Sequence, residues 1–237
     1  MLEIFLVISF LIVLATILVL FLQPRWLFST ITSIAPGVIY FSETNKPVIA
    51  LTIDDGPDAT TTSKILEILQ RNAAQATFFV VSSRVKGNEP LITKIVAEKN
   101  ELGNHLTEDK PSIKLLPQEF EANLLEAHTI ISKFTNPHWM RPASGWYNNT
   151  MLETAHKYGY RVALGSLFPF DTHIHSSWFA AQHILLNVRP GSIIILHDCG
   201  SRGRRTAETL EMILPKLCSK GYSVVTLTEL LQNENLN

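Results

Sequence analysis

Polar side chains that can bind metals or move protons stand at the ends of several apolar segments of this sequence. Asp54 and Asp55 follow the first such segment, and His105, Arg141 and His197 each end a later one. Adjacent carboxylates repel each other unless a cation or an arginine lies between them. Asp, Gly and Pro also form turns, so Asp54 and Asp55 taken alone are compatible with a simple turn. Together with the other three residues they favour a catalytic site.

A nitrogen and two carboxylates are spaced so that they suit a divalent metal. Asp109 stands four residues after His105, and Asp55 is expected within reach. One imidazole and two carboxylates form a typical ligand set for a catalytic metal that keeps open positions for water. His105 considered alone is more typical of a structural histidine. His197 has a side chain whose pKa lies near working pH, which suits a general acid or base.

The elements that must position these residues alternate between short apolar runs and segments of helical period. The predicted helices are Thr62–Arg71, Pro90–Lys99, Pro117–Phe134, Met151–Tyr158 and Ala207–Lys220. The predicted strands are Val48–Ile53, Ala76–Val81, Glu101–His105, His138–Arg141, Tyr160–Gly165, Ser192–His197 and Tyr222–Leu227. This alternation predicts an α/β fold, either a short parallel barrel or a doubly wound sheet, in which sites form at the carboxyl ends of the strands.

The N-terminus carries an uncharged apolar segment, Ile4–Leu22, whose 19 residues approach the roughly 20 that a membrane-spanning helix needs. A cleaved signal peptide is the alternative, but this segment is longer than a usual signal core and no A-x-A site follows it. We therefore expect a transmembrane anchor over 1–23, a juxtamembrane linker over 24–46 and one domain over 47–237. Arg25 after the span weakly favours a cytoplasmic domain.

Composition excludes several other classes of protein. The 237 residues include 20 Lys and Arg against 21 Asp and Glu, which excludes a nucleic-acid binder that depends on bulk positive charge. Two cysteines, Cys199 and Cys218, provide neither a disulfide scaffold nor a four-cysteine zinc site. Three arginines close together are expected to form a solvated loop that can attract an anionic substrate: Arg202, Arg204 and Arg205.

Five segments resemble, in order and spacing, the motifs of polysaccharide deacetylases, carbohydrate esterase family 4. They are TIDDGP (52–57), ATFFV (76–80), ELGNH (101–105), RPASG (141–145) and IILHD (194–198). The resemblance extends over roughly 47–230. It implies a distorted seven-stranded β/α barrel, here preceded by one N-terminal transmembrane helix, and a metal-dependent hydrolase that removes acetyl groups from a glycan.

The resemblance also implies a metal site. Asp55 and His105 match the first and second metal ligands of the family, and Asp109 stands where the family commonly has a histidine. A third ligand with oxygen in place of nitrogen makes the set harder, which moves its preference from zinc toward manganese or cobalt. Zinc is the expected divalent ion, with manganese and cobalt as alternatives.

The remaining roles follow from the same resemblance. Asp54 matches the catalytic base and Arg141 the residue that holds it, while His197 matches the catalytic acid and Asp171 the carboxylate that orients it. The backbone N–H of Ser144 matches the donor to the oxyanion. In the implied reaction Asp54 takes a proton from water, and His197 protonates the departing amine.

The sequence departs from the family in the segment that forms the wall of the sugar site. Ala143 and Ser144 replace the usual Pro-Tyr pair, so an aromatic side chain is missing there. Trp146, Tyr147 or Trp178 can provide a stacking face instead.

Three functions are compatible with these residues. The first is removal of N-acetyl groups from an extracytoplasmic glycan, such as chitooligosaccharide or peptidoglycan, by a single-pass membrane enzyme that contacts the bilayer through residues 4–22. The second is hydrolysis of O-acetyl esters or small amides by the same metal chemistry. The third is glycan binding without catalysis, which does not require a base, an arginine, an acid and metal ligands together.

Overall fold

The computed structural model describes residues 1–232, which form a sheet surrounded by helices. The strands are β1 (Val38–Ile39), β2 (Val48–Asp54), β3 (Ala76–Val80), β4 (Glu101–Asn104), β5 (Trp139–Met140), β6 (Arg161–Ala163), β7 (Ile193–His197) and β8 (Ser223–Val225). The helices are α1 (Leu2–Leu22), α2 (Arg25–Ile34), α3 (Thr62–Arg71), α4 (Glu89–Ala97), α5 (Pro117–Ile131), α6 (Asn149–Lys157), α7 (Ser177–Asn187), α8 (Gly200–Ser219) and α9 (Leu227–Gln232).

The sheet curls into a distorted barrel. Its strands pair in the order β1-β6-β5-β4-β3-β2-β7, with β8 also paired to β2, and every pairing between these strands is parallel. The chain beyond β6 returns to the other edge, where Leu167 bridges Ile194 of β7. This bridge brings the two edges together, and the predicted β/α barrel is confirmed.

The centre of the barrel is apolar because its strands are covered on both faces. All seven residues of β2 are buried, as is typical of parallel strands that have helices on one side and the barrel interior on the other. Helix α3 directs Ile65, Leu66, Ile68 and Leu69 against this sheet. A strand buried in this way has a fixed register, so the residue that follows its last apolar side chain has a fixed position.

All seven predicted strands occur, most of them shorter at one or both ends. Helix α7 was not predicted, because it has no clear apolar stripe and no charged residue on an outer face. Its one local signal is Ser176, whose side chain accepts a hydrogen bond from the N–H of Phe179 and caps the helix.

The segment 24–46 differs from the predicted linker. It contains α2 and β1, and β1 pairs with β6 at the edge of the sheet. Phe28 and Tyr40 from this segment are buried in the core cluster around α5 and α6. Two residues of strand are too few to produce a period in the sequence, so only the packing of these aromatic side chains shows that the segment belongs to the barrel.

The N-terminal helix and the arginine-rich segment 202–205 were also predicted from the sequence. No residue of Glu3–Leu22 in α1 is buried, and by length and composition this is the one helix among residues 1–232 that could cross a membrane, although a signal sequence has the same properties. The predicted loop of arginines is wrong: Arg202, Arg204 and Arg205 lie in the first turns of α8, which begins at Gly200.

Gly103 of β4 provides a test of the packing under the site. A β-carbon at this position would lie 2.6 Å from Cδ1 of Phe79, and the guanidinium of Arg141 covers the same ring at 4.1 Å. We predict that Gly103→Ala destabilises the protein by about 1–3 kcal/mol, because the ring has little room to move. Thermal unfolding of the full chain measures the change.

A double-mutant cycle is the control for this prediction. Phe79→Leu removes part of the ring, so Gly103→Ala in that background is expected to lower the melting temperature less than it does alone. Equal losses in the two backgrounds would show that the clash with Phe79 is not the cause.

Candidate active site

Asp54, the last residue of β2, forms a buried ion pair with Arg141, which follows β5. Arg141 Nη1 lies 2.6 Å from Asp54 Oδ1 and 2.8 Å from the hydroxyl of Thr52, while its Nε donates to the carbonyl of Ala163 at 2.8 Å. The two charged side chains are almost fully buried, and the guanidinium also stacks over Phe79. These contacts fix the carboxylate of Asp54 in one position at the rim of the barrel.

His197 stands beside this carboxylate at the end of β7. Asp54 and His197 are direct register partners on neighbouring parallel strands. The Nδ1 of His197 lies 2.8 Å from Asp171 Oδ2, which leaves Nε2 as the nitrogen that can transfer a proton. Burial alone lowers the pKa of His197, but the hydrogen bond and charge of Asp171, with the charges of Asp54 and Asp55, raise it to about 9.

Asp55 and His105 form a second buried pair at the same rim. Asp55 Oδ1 lies 3.5 Å from His105 Nε2, and His105 Nδ1 donates to the carbonyl of Arg141 at 2.8 Å. The backbone of Asp55 has a φ of 71°, a left-handed conformation that is uncommon outside glycine and that turns this side chain away from the strand. Burial opposes its ionisation, but the hydrogen bond and charge of His105 lower the pKa of Asp55 below its usual range.

The donor chemistry of Asp55 and His105 fits a divalent cation. The carbonyl of Arg141 occupies Nδ1 of His105, so Nε2 is the nitrogen that is free to bind a metal, and a carboxylate oxygen lies beside it. An imidazole and a carboxylate are ligands that suit zinc, manganese or cobalt.

Asp109 is held differently from these two residues. Its Oδ2 lies 3.3 Å from Arg84 Nη2 and 3.6 Å from Arg202 Nη2, and Arg202 Nη1 donates to Asp55 Oδ2 at 2.8 Å. The guanidinium of Arg202 therefore bridges the two carboxylates. Within residues 1–232 the structure does not bring three metal-ligating side chains into one group, so the assignment of Asp109 as third ligand stays a prediction.

Sequence reasoning gave no role to Arg84, and for Arg202 it suggested only the attraction of an anionic substrate, yet both arginines neutralise carboxylates at this site. Arg84, in the turn after β3, also donates to the backbone carbonyl of Asp55, and Arg202 reaches the site from the first turn of α8. The sequence did place an excess of carboxylates at one rim. Because buried anions need partners, this excess indicates that further cationic side chains must reach the site.

Ser144 and Trp146 lie on the open side of the rim. The short helical turn Ala143–Gly145 follows Arg141, and the N–H of Ala143 donates to the hydroxyl of Ser112 at 2.8 Å, which fixes its start. Ser144 is exposed with a φ of 67°. Trp146 is 71% exposed, so its indole face is available to a ligand. The oxyanion role of Ser144 and the stacking role of Trp146 stay predictions.

Asp198 is a further buried carboxyl that sequence reasoning left without a role. It accepts hydrogen bonds from the hydroxyls of Thr61 and Thr62, and its N–H donates to the carbonyl of Asp54 at 2.7 Å. Burial raises its pKa to about 6. Gly203 packs so closely that a β-carbon there would lie 2.7 Å from Asp198 Oδ1. Asp198 thus links β7 to the start of α3 beneath the site.

The rim of the barrel carries a carboxylate held by an arginine and a histidine held by a second carboxylate. This arrangement is that of a hydrolase site on a β/α barrel. Residues 41–163 match the family model for polysaccharide deacetylase. A peptidoglycan-N-acetylglucosamine deacetylase of Bacillus cereus is 34% identical over 191 residues, which cover 79% of this chain and 90% of that protein. The chain also spans about two-fifths of longer curated peptidoglycan deacetylases.

Two solved structures are similar in fold and sequence. An acetyl xylan esterase of Clostridium thermocellum, in complex with a cobalt ion, has a TM-score of 0.72 and 32% identity and covers 78% of this chain and 90% of its own. A CE4 family pseudoenzyme from Bacillus anthracis has a TM-score of 0.75 and 28% identity and covers 83% of this chain and 69% of its own. The chain therefore belongs to the polysaccharide deacetylase family, and the predicted class, a hydrolase of carbon–nitrogen bonds other than peptide bonds, is confirmed.

The pair of His197 and Asp171 generates a pH prediction. If His197 is the catalytic acid, it must be protonated, and Asp171, with Asp54 and Asp55, raises its pKa to about 9. Asp171→Asn removes the largest contribution that opposes the effect of burial on the pKa of His197, so we predict that the basic limb of the kcat/KM profile moves to lower pH. At pH 8 the loss is about 10²-fold.

Initial rates of acetate release measured from pH 5 to pH 10 provide the test. His173→Gln is the matched control, because His173 is exposed in the same segment and its contact is with the adjacent Thr172. It is expected to leave the profile unchanged. A basic limb that stays in place in Asp171→Asn would contradict the role of Asp171.

Proposed function

We propose that this chain is a metal-dependent hydrolase that removes N-acetyl groups from a glycan of the peptidoglycan or chitooligosaccharide type. The observation that carries the proposal is the position of Asp54, held by Arg141, directly opposite His197, held by Asp171. A base and an acid fixed on neighbouring strands suit a reaction in which one proton is taken from water and another is given to a leaving amine. The named activity of the Bacillus cereus relative supports this substrate class.

Each residue has a role that follows from its contacts. Arg141 holds the carboxylate of Asp54 in one position, so Asp54 takes the proton as water attacks the acetamide carbon. His197, protonated through its bond to Asp171, gives a proton to the amine nitrogen as the carbon–nitrogen bond breaks. The N–H of Ser144 stabilises the oxyanion, and Trp146 offers a face to the sugar ring. Acetate and a free amino sugar are the products.

Asp55 and His105 would hold the divalent ion, with Asp109 as the proposed third ligand once Arg202 releases it. A divalent ion bound there polarises the acetyl carbonyl and acidifies the attacking water. Zinc is the proposed ion, with manganese and cobalt as alternatives, and the cobalt ion in the similar esterase structure is consistent with a site of this kind.

The proposed location is the outer face of a membrane. Helix α1 forms a single-pass anchor through residues 4–22, and the catalytic domain that follows it acts outside the cytoplasm, where wall glycans lie. A topology reporter fused after Asn237 that is active only in the cytoplasm would contradict this orientation.

Acetate release by the full chain in detergent tests the activity. We predict that chelation abolishes release from N-acetylglucosamine oligomers or peptidoglycan, and that zinc, manganese or cobalt restores it. Asp54→Asn, which keeps the size of the side chain, is expected to lower the restored rate by about 10²–10⁴-fold.

Substrate comparison separates the alternatives. Acetylated xylan is included because the similar esterase structure favours an O-acetyl substrate as the second candidate. Release from xylan alone would replace the N-acetyl proposal with that candidate. A folded chain that binds the oligomers but releases no acetate with any metal would show a binding protein, as the similarity to a pseudoenzyme allows.

Arg202 generates a prediction about metal affinity. Its guanidinium bonds to Asp55 and lies near Asp109, so a divalent ion must compete with it for the same carboxylates. We predict that Arg202→Gln tightens cobalt binding by about tenfold or more, since removing a nearby positive charge favours the cation. Calorimetric titration of the metal-free full chain measures this without an activity assay.

The matched control is Arg204→Gln. Arg204 carries the same charge two residues further along α8, and its side chain is exposed. This variant is expected to change the cobalt affinity little, because screened surface charges interact weakly. An unchanged or weaker affinity in Arg202→Gln would contradict competition at Asp55.

A further inference from the structure

The C-terminal end of α1 forms direct hydrogen bonds with the barrel domain. The side-chain amide of Gln23 donates to the carbonyl of Phe168 at 2.8 Å and accepts from the N–H of Phe168 at 3.0 Å. Gln23 is buried. His183 Nε2 of α7 donates to the carbonyl of Phe21 at 2.8 Å, one of the last carbonyls of α1 that lack a partner within the helix. The apolar helix and the domain therefore have a fixed relative position.

Aromatic contacts place α7 against the same helix end. The ring of Phe21 lies 5.0 Å from the His183 ring and 6.3 Å from the Phe179 ring, both edge to face. Phe170, in the loop after β6, lies 5.3 Å from His183. Helix α7 therefore lies beside the C-terminal end of α1.

Around this helix end the domain exposes large apolar side chains. Trp178, next to Phe179, is 65% exposed, and Leu186, three residues beyond His183, is 73% exposed. Trp26, three residues beyond Gln23, is 59% exposed. Helix α7 contains no Asp, Glu, Lys or Arg. Tryptophan is enriched where a spanning helix leaves the hydrocarbon, and large exposed apolar side chains can mark an interaction surface.

We propose that Trp26, Trp178 and Leu186 form a second membrane contact, which seats the domain on the lipid surface beside α1. This inference rests on the proposed role of α1 as a membrane anchor. Lipid is the occupant because these side chains lie on α7, which contacts the end of that apolar helix, and on α2, which follows it, and because an indole has an apolar ring and an N–H that can reach water. Since Asp171 follows Phe168 by three residues, the site then works on glycan that lies close to the bilayer.

Fluorescence quenching by brominated lipids tests the contact. Three variants of the full chain all keep Trp139, which is 2% exposed and whose indole bonds to Glu101 and Thr228. One also keeps Trp178, one keeps Trp146, and one keeps neither and gives the background; all other tryptophans become phenylalanine. They are reconstituted in phosphatidylcholine and phosphatidylglycerol vesicles with bromine either near the headgroup or deep in the acyl chain.

We expect Trp178 to be quenched more strongly by the shallow bromines than by the deep ones. Trp146 is the matched control, because it is equally exposed, at 71%, but lies at the rim of the site, and it is expected to show no quenching above background. Leu14→Trp in the background variant reports insertion of α1 and is expected to be quenched by the deep bromines.

Each other outcome overturns the proposal in a distinct way. Trp178 unquenched while Leu14→Trp is quenched would leave the anchor in place and remove the second contact. Shielding of Trp178 from both bromines and aqueous acrylamide would assign the surface to a protein partner. An unquenched Leu14→Trp would remove the anchor itself. Because acetate release is measured separately, failure of this inference is distinguishable from failure of the proposed activity.

Discussion

The buried ion pair between Arg141 and Asp54 is the interaction on which the rest of the site depends. Two charges removed from water cost several kcal/mol each unless their hydrogen-bonding groups find partners. Arg141 meets most of this requirement through Asp54 and Thr52 of β2, the carbonyl of Ala163 in β6 and the ring of Phe79 in β3, while its Nη2 has no hydrogen-bond partner among residues 1–232. One side chain therefore fastens separate strands of the barrel to each other. The carbonyl of the same residue orients His105, so the base and the proposed metal ligand share one support.

Parallel pairing explains why acid and base can lie together without sharing a strand. Since all strands of the barrel end at the same rim, the register of β2 with β7 alone sets His197 beside Asp54. The anionic side chains gathered there are balanced by cations on other elements: Arg141 after β5, Arg84 after β3 and Arg202 on α8. The site is therefore assembled from many elements, and its net charge depends on side chains that lie outside the chemical motifs.

The positions of candidate site residues are predicted well where they lie at the end of a strand whose apolar run is easily recognised. Asp54, His105 and His197 are fixed by that rule, and the structure brings them together as expected. Arg202 illustrates what the sequence could not show, since its role depends on how the first turn of α8 faces Asp55 across the rim. The place of the segment 24–46 in the barrel could not be predicted for a similar reason. Its strand has two residues, and its place in the barrel depends on tertiary packing of Phe28 and Tyr40.

The loop after β6 connects the chemistry to the N-terminal helix. Phe168 bonds to Gln23 at the end of α1, Leu167 pairs with β7, and Asp171 holds His197. These contacts lie within five residues of chain. A displacement of the helix end would therefore reach the imidazole through few rotatable bonds, whereas Asp54 is held by Arg141, whose other contacts are with strands of the sheet. The acid of the proposed reaction, and not its base, is thus the group whose position depends on how α1 is anchored.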